Sequence, residues 1–305
     1  MSGLRLGYAS LNTQLPSPAR TVRLANATPG RLRELLAANL DALEAVLRWN
    51  AAHDIRVFRL SSNIVPLASH PANPLRSWDE LAGRFAALGH LMRDERMRLS
   101  THPGQYTVLG SPLSAVTEAG IAELDYHGRM LEAFGLDASH KIVLHVGGAY
   151  GEPDAALARF ESAFGRLSAA ARARLVLEND ERWSLEAVLA FADRLGAPVV
   201  FDAFHHTLRP SLPALALREL VLAAGETWAP GDGRQEVHFS TQAAGRRPGA
   251  HSETLDLDAF AAFAAEVAHL PLDCILEVKD KERSVLRARA VLEAQRDPSR
   301  RDARA

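Results

Sequence analysis

Histidine, glutamate and aspartate recur at the ends of short apolar runs along this sequence of 305 residues. Imidazoles and carboxylates without thiolates are typical ligands of Mn²⁺, Zn²⁺ or Fe²⁺, and they suit Ca²⁺ less well. The candidate ligands are His102, His145, Glu178, Asp202, His205, His238, His251 and Glu277. One divalent ion takes about four to six ligands, some of them water, so this set could hold two or three ions. Burying so many ionisable groups without a metal would be costly, which favours this interpretation.

The elements that position these residues follow from the apolar runs themselves. Eight runs end in an acid, a histidine or an amide, and a helix-like segment follows each of them. They cover residues 4–10, 55–62, 98–103, 141–147, 175–180, 198–206, 236–241 and 273–280. Nearly continuous Val, Ile, Leu and Phe are typical of strands buried on both faces of a parallel sheet. The pattern predicts a single-domain (β/α)8 TIM barrel over residues 1–295, with its active site at the C-terminal ends of the strands.

Bulk properties narrow the functional classes. The formal net charge of −2 argues against a broad nucleic-acid-binding surface, so any such surface must be local. The single cysteine, Cys274, excludes a disulfide within the chain and is expected in the core. No secretory signal pattern or membrane-length apolar stretch is present, which predicts a soluble cytoplasmic protein without membrane contact. Residues 296–305, rich in Arg and Asp, are expected to form a flexible C-terminal tail.

A cluster of divalent ions favours hydrolysis of a charged ester. Bound ions lower the pKa of water and neutralise charge on an attacked phosphate, and phosphodiester cleavage is the natural case. Sugar isomerases on similar barrels also use two ions with carboxylate and histidine ligands. Metal ligation alone therefore does not separate these two functions.

An ordered series of motifs resembles the UV damage endonuclease family, which is related to the barrels of endonuclease IV and the xylose isomerase-like enzymes. The motifs are LGYASLN (6–12), FRLSSNIVPLASHP (58–71), LSTHPGQY (99–106), LHVGGAYGE (144–152), LENDE (177–181), VVFDAFHH (199–206), VHFS (237–240), RRPGAHS (246–252) and LEVKDKE (276–282). They span nearly the whole chain. Their order makes the resemblance far more specific than any one motif.

The resemblance implies a DNA repair enzyme. Such an enzyme nicks double-stranded DNA on the 5′ side of UV lesions, both cyclobutane dimers and 6-4 photoproducts, and leaves a 3′ hydroxyl and a 5′ phosphate. The eight candidate ligands fall on the family's positions for two or three Mn²⁺ ions, with Zn²⁺, Mg²⁺ or Co²⁺ as alternatives. Glu178 and Glu277 would also be catalytic. We expect a monomer, associated with the nucleoid in a bacterium.

The resemblance also implies residues that recognise the lesion. Gln105 and Tyr106 fall on the pair that enters the base stack opposite the damage. An aromatic ring and an amide suit this task, because one stacks and the other satisfies exposed base edges. Tyr8 and Asn12 match positions that line the lesion pocket near the scissile phosphate, where Tyr8 could also contact that phosphate.

Other residues are expected to contact phosphate or complete the site. His70 matches a further active-site histidine of the family. Lys279, two residues beyond Glu277, is expected to contact phosphate or order the site. Arg76, Arg246 and Arg247 lie in or near strand-end loops and could bind the DNA backbone.

One position departs from the family. Members can carry a carboxylated lysine two residues before His238, where this chain has Glu236. The Glu236 side chain is shorter than a carboxylated lysine. Its carboxylate would contact the metals either directly or through a bridging water. The alternative is an acid at the surface end of a strand, and the sequence leaves both open.

Two other functions also remain open. A sugar isomerase would share the barrel and the metals but would not need the Gln105–Tyr106 pair. A metal-binding lesion sensor would bind damaged DNA without cutting it.

Overall fold

Eight parallel strands form a closed barrel in the computed structural model, which describes residues 3–71, 73 and 80–296. The strands are β1 (Arg5–Ala9), β2 (Val57–Leu60), β3 (Arg98–Thr101), β4 (Lys141–His145), β5 (Leu175–Glu178), β6 (Val199–Asp202), β7 (Gln235–Phe239) and β8 (Leu272–Leu276). Each strand pairs with the next along the chain, and β1 closes the barrel against β8 with Leu6 opposite Cys274. This confirms the predicted (β/α)8 barrel.

Helices connect the strands and cover the outside of the barrel. The α-helices are Pro29–Ala52, Ala82–Asp94, Ser114–Ala133, Pro153–Phe164, Ala169–Arg172, Leu185–Leu195, Ala203–Leu208, Leu217–Gly225, Leu257–Val267 and Glu282–Arg296, with short 3-10 helices at Leu24–Asn26 and Pro230–Asp232. Helix Leu185–Leu195 shows why such segments begin and end where they do. The Ser184 hydroxyl accepts a hydrogen bond from Ala187 N, and Gly196 ends the helix with a φ of 63°.

No helix among the described residues is both long and apolar enough to cross a membrane. Residues 297–305, nearly all of the predicted tail, lie outside the described part of the chain.

The strand alternation explains how the barrel interior is filled. Every second residue of a strand points inward, so one layer of the interior contains Val143, Val176 and Val200, which pack together as a small apolar cluster. Two positions further along the same strands are His145, Glu178 and Asp202. The valine layer therefore forms the floor on which the strand-end polar residues lie.

Asp273 organises the opposite end of the barrel interior. Its fully buried carboxylate accepts hydrogen bonds from Arg5 Nε and Nη2 at 2.7 and 2.6 Å, and from Arg234 Nε at 3.0 Å. These three residues belong to or precede β1, β7 and β8. The ion pairs therefore join the strands that close the barrel.

Asp273→Asn should lower the free energy of unfolding by about 3 kcal/mol, because removing one partner of a buried pair leaves the other charges uncompensated. Urea unfolding followed by circular dichroism measures the change. The matched control is Glu80→Gln, which breaks the exposed pair between Glu80 and Arg33 and should leave the unfolding midpoint unchanged. Equal midpoints for the two variants would contradict the role given to Asp273.

Candidate metal centre

Glu178 lies at the centre of the strand-end cluster. It ends β5, is 1% exposed, and directs its two carboxylate oxygens at different neighbours. Glu178 Oε2 is 2.9 Å from His102 Nε2 and 3.5 Å from His145 Nε2. Glu178 Oε1 is 2.5 Å from His238 Nδ1. One carboxylate thus joins ligands from four strands.

Two groups of candidate ligands share this carboxylate, and within each group the ligand atoms lie within 4.8 Å of one another. The groups are His102, His145 and Glu178, and Glu178, Asp202, His238 and Glu277. The two remaining predicted ligands border them. His251 Nε2 is 3.4 Å from Glu277 Oε2, and the ring of His205 lies 5.5 Å from that of His145. The structure therefore brings all eight predicted ligands together.

Four imidazoles each face an oxygen atom, and for His102 and His238 the contact is a hydrogen bond, whereas His145 Nδ1 and His205 Nδ1 have no hydrogen-bond partner among the described residues. The facing atoms are His102 Nδ1 and Pro103 O at 3.0 Å, His145 Nδ1 and Asp180 Oδ2 at 3.7 Å, His205 Nδ1 and Glu181 Oε2 at 3.4 Å, and His238 Nε2 and Glu236 Oε1 at 3.0 Å. Metal-binding histidines are commonly oriented by such an acceptor, which fixes one ring nitrogen and leaves the other for the ion, and His102 and His238 fit this pattern.

Asp180 and Glu181 were not among the eight predicted ligands. Both belong to the LENDE motif, directly after the ligand Glu178, and this position was the signal that could have identified them. Asp180 Oδ1 also accepts hydrogen bonds from the backbone of Arg182 and Trp183, each at 2.7 Å. Its carboxylate is therefore fixed in place beside His145.

Glu236 lies below the two ligand groups and outside both. It is 1% exposed, so the interpretation as a surface acid was wrong. Glu236 Oε1 accepts a hydrogen bond from Ser100 Oγ at 2.9 Å and faces His238 Nε2. Among the described residues, Glu236 Oε2 has no hydrogen-bond partner.

Arg59 places a buried cation in the site, and the sequence interpretation missed it. Its Nη1 donates a hydrogen bond to Glu277 Oε1, and its Nη2 lies 2.6 Å from His238 Nε2. Burial alone would raise the pKa of Glu277, but the charges of Arg59 and His238 hold it below its ordinary value. An arginine within the buried strand VFRL was the signal available in the sequence.

The electrostatics of the cluster fit a divalent cation. Burial alone would raise the pKa of Glu178, yet positive charge on His238 and His145 holds it well below its ordinary value. Burial favours a neutral His238 ring, but Glu178 raises the pKa of His238 to about 10. Burial raises the pKa of Asp202 to about 6, and its Oδ2 has no hydrogen-bond partner among the described residues. An ionised Glu178 carboxylate among imidazoles, and a buried Asp202 carboxylate with an unpartnered Oδ2, both suit a metal ion.

Tyr8 and Asn12 do not line an open pocket as expected. Tyr8 is fully buried, donates a hydrogen bond from its hydroxyl to Asn50 Oδ1 at 2.6 Å, and accepts one from Asn12 Nδ2 at 3.2 Å. This burial raises the pKa of Tyr8. Asn12 is 1% exposed and accepts a hydrogen bond from Gln14 N at 2.9 Å. The pair therefore fixes the loop after β1, because neither side chain offers a surface to DNA in this conformation.

Lys279 also lies apart from the ligand groups. Its Nζ is 2.5 Å from Glu253 Oε1, and both side chains are more than half exposed. Lys281 lies closer to the cluster. Burial lowers its pKa, while the charge of Glu277 opposes that shift. The predicted Arg76 lies outside the described residues.

The remaining predicted residues are exposed on strand-end loops. Gln105 and Tyr106 follow β3, and Tyr106 is 68% exposed. Arg246 and Arg247 occupy the exposed tip of the loop after β7, and His70 is exposed on the loop after β2. None of these five residues belongs to the ligand groups, but each is accessible to a large partner.

Comparisons with known proteins agree with the motif series. The model of the family UV-endonuclease UvdE matches residues 4–299. A UV DNA damage endonuclease of Clostridium perfringens is 34% identical over 289 residues, which cover 93% of this chain and 69% of the relative. One from Bacillus cereus is 31% identical over 296 residues and 93% of each chain.

Solved structures show the same relationship. The crystal structure of SacUVDE superposes with a TM-score of 0.90 at 35% identity, over 96% of this chain and 99% of that one. Endonuclease IV from Thermus thermophilus and an L-ribulose 3-epimerase share the fold, each with a TM-score of 0.58, at 16% and 17% identity. The chain belongs to the UV-endonuclease UvdE family.

Proposed function

We propose that this protein is a metal-dependent endonuclease that cuts DNA on the 5′ side of ultraviolet photoproducts and leaves a 3′ hydroxyl and a 5′ phosphate. The observation that carries the proposal is the pair of ligand groups joined by Glu178 in a chain of this family. The relatives named UV DNA damage endonuclease support damaged DNA as the substrate. Mn²⁺ is the proposed ion because of the resemblance to the family, and the donors, imidazoles and carboxylates without a thiolate, are compatible with it.

When bound, divalent ions lower the pKa of water and neutralise charge on the attacked phosphate. His102 and His145 would hold one ion with Glu178 Oε2, and Asp202, His238 and Glu277 would hold another with Glu178 Oε1. His251 and His205 border these groups and could hold a third. The valine layer beneath closes the site from below, so DNA must approach from the mouth.

The exposed loop residues would provide recognition. Gln105 and Tyr106 are the proposed pair that probes the base stack, since both are accessible and follow the ligand His102 by a few residues. Arg246 and Arg247 are the proposed phosphate contacts, on the loop that also carries His251. A photoproduct weakens stacking and pairing, which lowers the cost of opening the duplex there.

The wild type with Mn²⁺ should relax an irradiated supercoiled plasmid and leave an unirradiated one intact. Glu178→Gln should lower this incision by about 100-fold or more, because losing even an indirect partner of a metal ligand costs about 10–100-fold. Agarose electrophoresis measures the nicked fraction. Elemental analysis of the variant shows whether the ions are lost with the carboxylate.

The other possible outcomes of the plasmid experiment distinguish the candidate functions. Equal nicking of both plasmids would contradict lesion specificity. Binding of irradiated DNA without incision by the metal-loaded wild type would identify a lesion sensor instead. A polymerase should extend the nick directly if it carries a 3′ hydroxyl, and a blocked nick would contradict the proposed products.

We propose further that Glu236 acts by orienting His238. Glu236→Gln should weaken Mn²⁺ binding by about 10–100-fold, since such an acceptor both fixes the ring and raises its basicity. Isothermal titration measures the affinity. The matched control is Ser100→Ala, which removes only the hydroxyl that holds Glu236 and should have a smaller effect. Wild-type affinity in Glu236→Gln would show that His238 needs no such acceptor.

The double variant Arg246→Ala, Arg247→Ala should bind DNA with a weaker salt dependence. Each phosphate contact contributes about 0.9 to the slope of log K against log salt concentration, so the slope should fall by up to about 2. Fluorescence anisotropy at several salt concentrations measures it. Arg48→Ala, near the end of helix Pro29–Ala52 and away from the strand-end loops, is the control. An unchanged slope in the double variant would exclude both arginines as phosphate contacts.

A further inference from the structure

Tyr150 is a large aromatic side chain left exposed beside the candidate metal centre. It is 50% exposed and lies on the loop after β4, five residues beyond the ligand His145. None of the contacts described above uses it. A half-exposed ring this close to a strand-end site is unexplained by packing, because its burial contributes little to the core.

The backbone holds Tyr150 in a conformation that side chains seldom adopt. Its φ is 55°, in the left-handed region, which costs free energy for a residue with a Cβ. Such strain persists only where the surroundings impose it, and it is found most often at functional sites.

The loop around Tyr150 is fixed on two sides. The indole of Trp183, from the loop after β5, donates a hydrogen bond to Gly147 O at 2.6 Å. On the other side, Gly147 packs closely against Val108, from the loop after β3, where an added Cβ would lie 3.0 Å from Val108 Cγ1. Gly147 itself has a φ of 94°. The loop that carries Tyr150 is therefore tied, through Gly147, to the loops after β3 and β5.

Tyr106, on the loop after β3, resembles Tyr150 in how its ring packs over a glycine of its own loop. Its ring packs over Gly104, where an added Cβ would lie 2.4 Å from Tyr106 Cε1. The ring of Tyr150 packs over Gly148, where the corresponding distance to Tyr150 Cε2 is 3.1 Å. Each tyrosine follows a candidate metal ligand by a few residues, and each leaves part of its ring exposed.

The surroundings of Tyr150 indicate which part of DNA it would meet. Glu152 and Asp154 are exposed and acidic, so this loop is poorly suited to bind phosphate. An aromatic face suits a nucleobase instead, because every base has a face that can stack.

We propose that Tyr150 is a second aromatic contact for DNA, on which a base unstacked near the lesion rests while the neighbouring loop carries Tyr106. This proposal rests on the proposed function. Its consequence is that loss of the ring should weaken the complex with damaged DNA while the step at the metal centre is preserved.

Single-turnover incision of a duplex with one photoproduct, at increasing enzyme concentration, separates these effects. Tyr150→Ala should raise the enzyme concentration for half-maximal rate by about tenfold, the size expected for one lost stacking contact, and leave the maximal rate within about twofold. Tyr150→Phe keeps the ring and should behave like the wild type. Leu113→Ala removes an exposed apolar side chain from the loop after β3 and should have no effect.

The proposal would be overturned if Tyr150→Ala reached its half-maximal rate at the same enzyme concentration as the wild type. It would also be overturned if Tyr150→Phe raised that concentration as much as Tyr150→Ala does. A loss in maximal rate alone would also overturn it, because it would assign Tyr150 to the chemical step. A lower melting temperature would identify a packing role, because alanine also has a Cβ and the backbone strain at this position stays the same. Dissociation of a dimer by Tyr150→Ala at unchanged DNA affinity would reassign the ring to a contact between two copies of the chain.

Failure of the proposed function can be distinguished from failure of this inference. If the wild type does not cut the irradiated duplex, anisotropy with the same duplex still compares Tyr150→Ala with the wild type. A tenfold loss there would support the contact even without incision. If the wild type cuts the duplex and Tyr150→Ala behaves like the wild type, only the proposed contact of Tyr150 with DNA is excluded.

Discussion

Four carboxylates share the upper half of the barrel interior, and the charge they carry is the constraint on which the rest of the site depends. Glu178, Asp202 and Glu236 are almost fully buried, and Glu277 is nearly so. A buried charge without compensation costs several kcal/mol of folding free energy. The summed cost of these four carboxylates would be comparable to the whole stability of a domain. Arg59 supplies one compensating charge. Protons on the imidazoles or bound cations can supply the rest, and the shared arrangement of these acids and histidines means that the cluster could hold metal ions.

The charges at the two ends of the barrel interior meet between β7 and β8, where Glu236 lies opposite Asp273. Asp273 is compensated locally by Arg5 and Arg234, below the valine layer. Burial lowers the pKa of Arg98, and the charges of Asp273 and Glu236 both oppose that shift, so this arginine acts on acids at both ends. Glu236 is the acid of this middle region, and the hydrogen bond that it accepts across the barrel comes from the neutral hydroxyl of Ser100. Its charge therefore remains available to His238.

The barrel and the ligand set could be predicted from the sequence because both depend on local pattern. Parallel strands end on one face, and residues at those ends must meet there. The orientation of single side chains could not be predicted in the same way. Tyr8 lies between Gly7 and Ala9, which face the interior, so it points outward to Asn50. Gly7 is required inside because an added Cβ would lie 2.3 Å from Val57 O. A motif locates a residue along a strand, but the register of the closed barrel decides whether its side chain points into the barrel or out of it.

Three of the loops at the mouth are tied by hydrogen bonds among the described residues, and this bears on how recognition would work. Glu282 accepts a hydrogen bond from Thr13 N at 2.9 Å and so anchors the loop after β1, whereas Trp183 anchors the loop after β4. Gln242 donates to Arg247 O at 2.9 Å and accepts from Gly249 N at 3.0 Å, which closes the tip that carries the exposed arginines. If DNA binds at this mouth, as proposed, these three loops would move toward it only by breaking those hydrogen bonds. Part of the fit would then come from bending and unstacking of the DNA, whose cost depends on how deformable the duplex is. Photoproducts are the places where that cost is already reduced, so a rigid mouth would favour damaged DNA without reading its sequence.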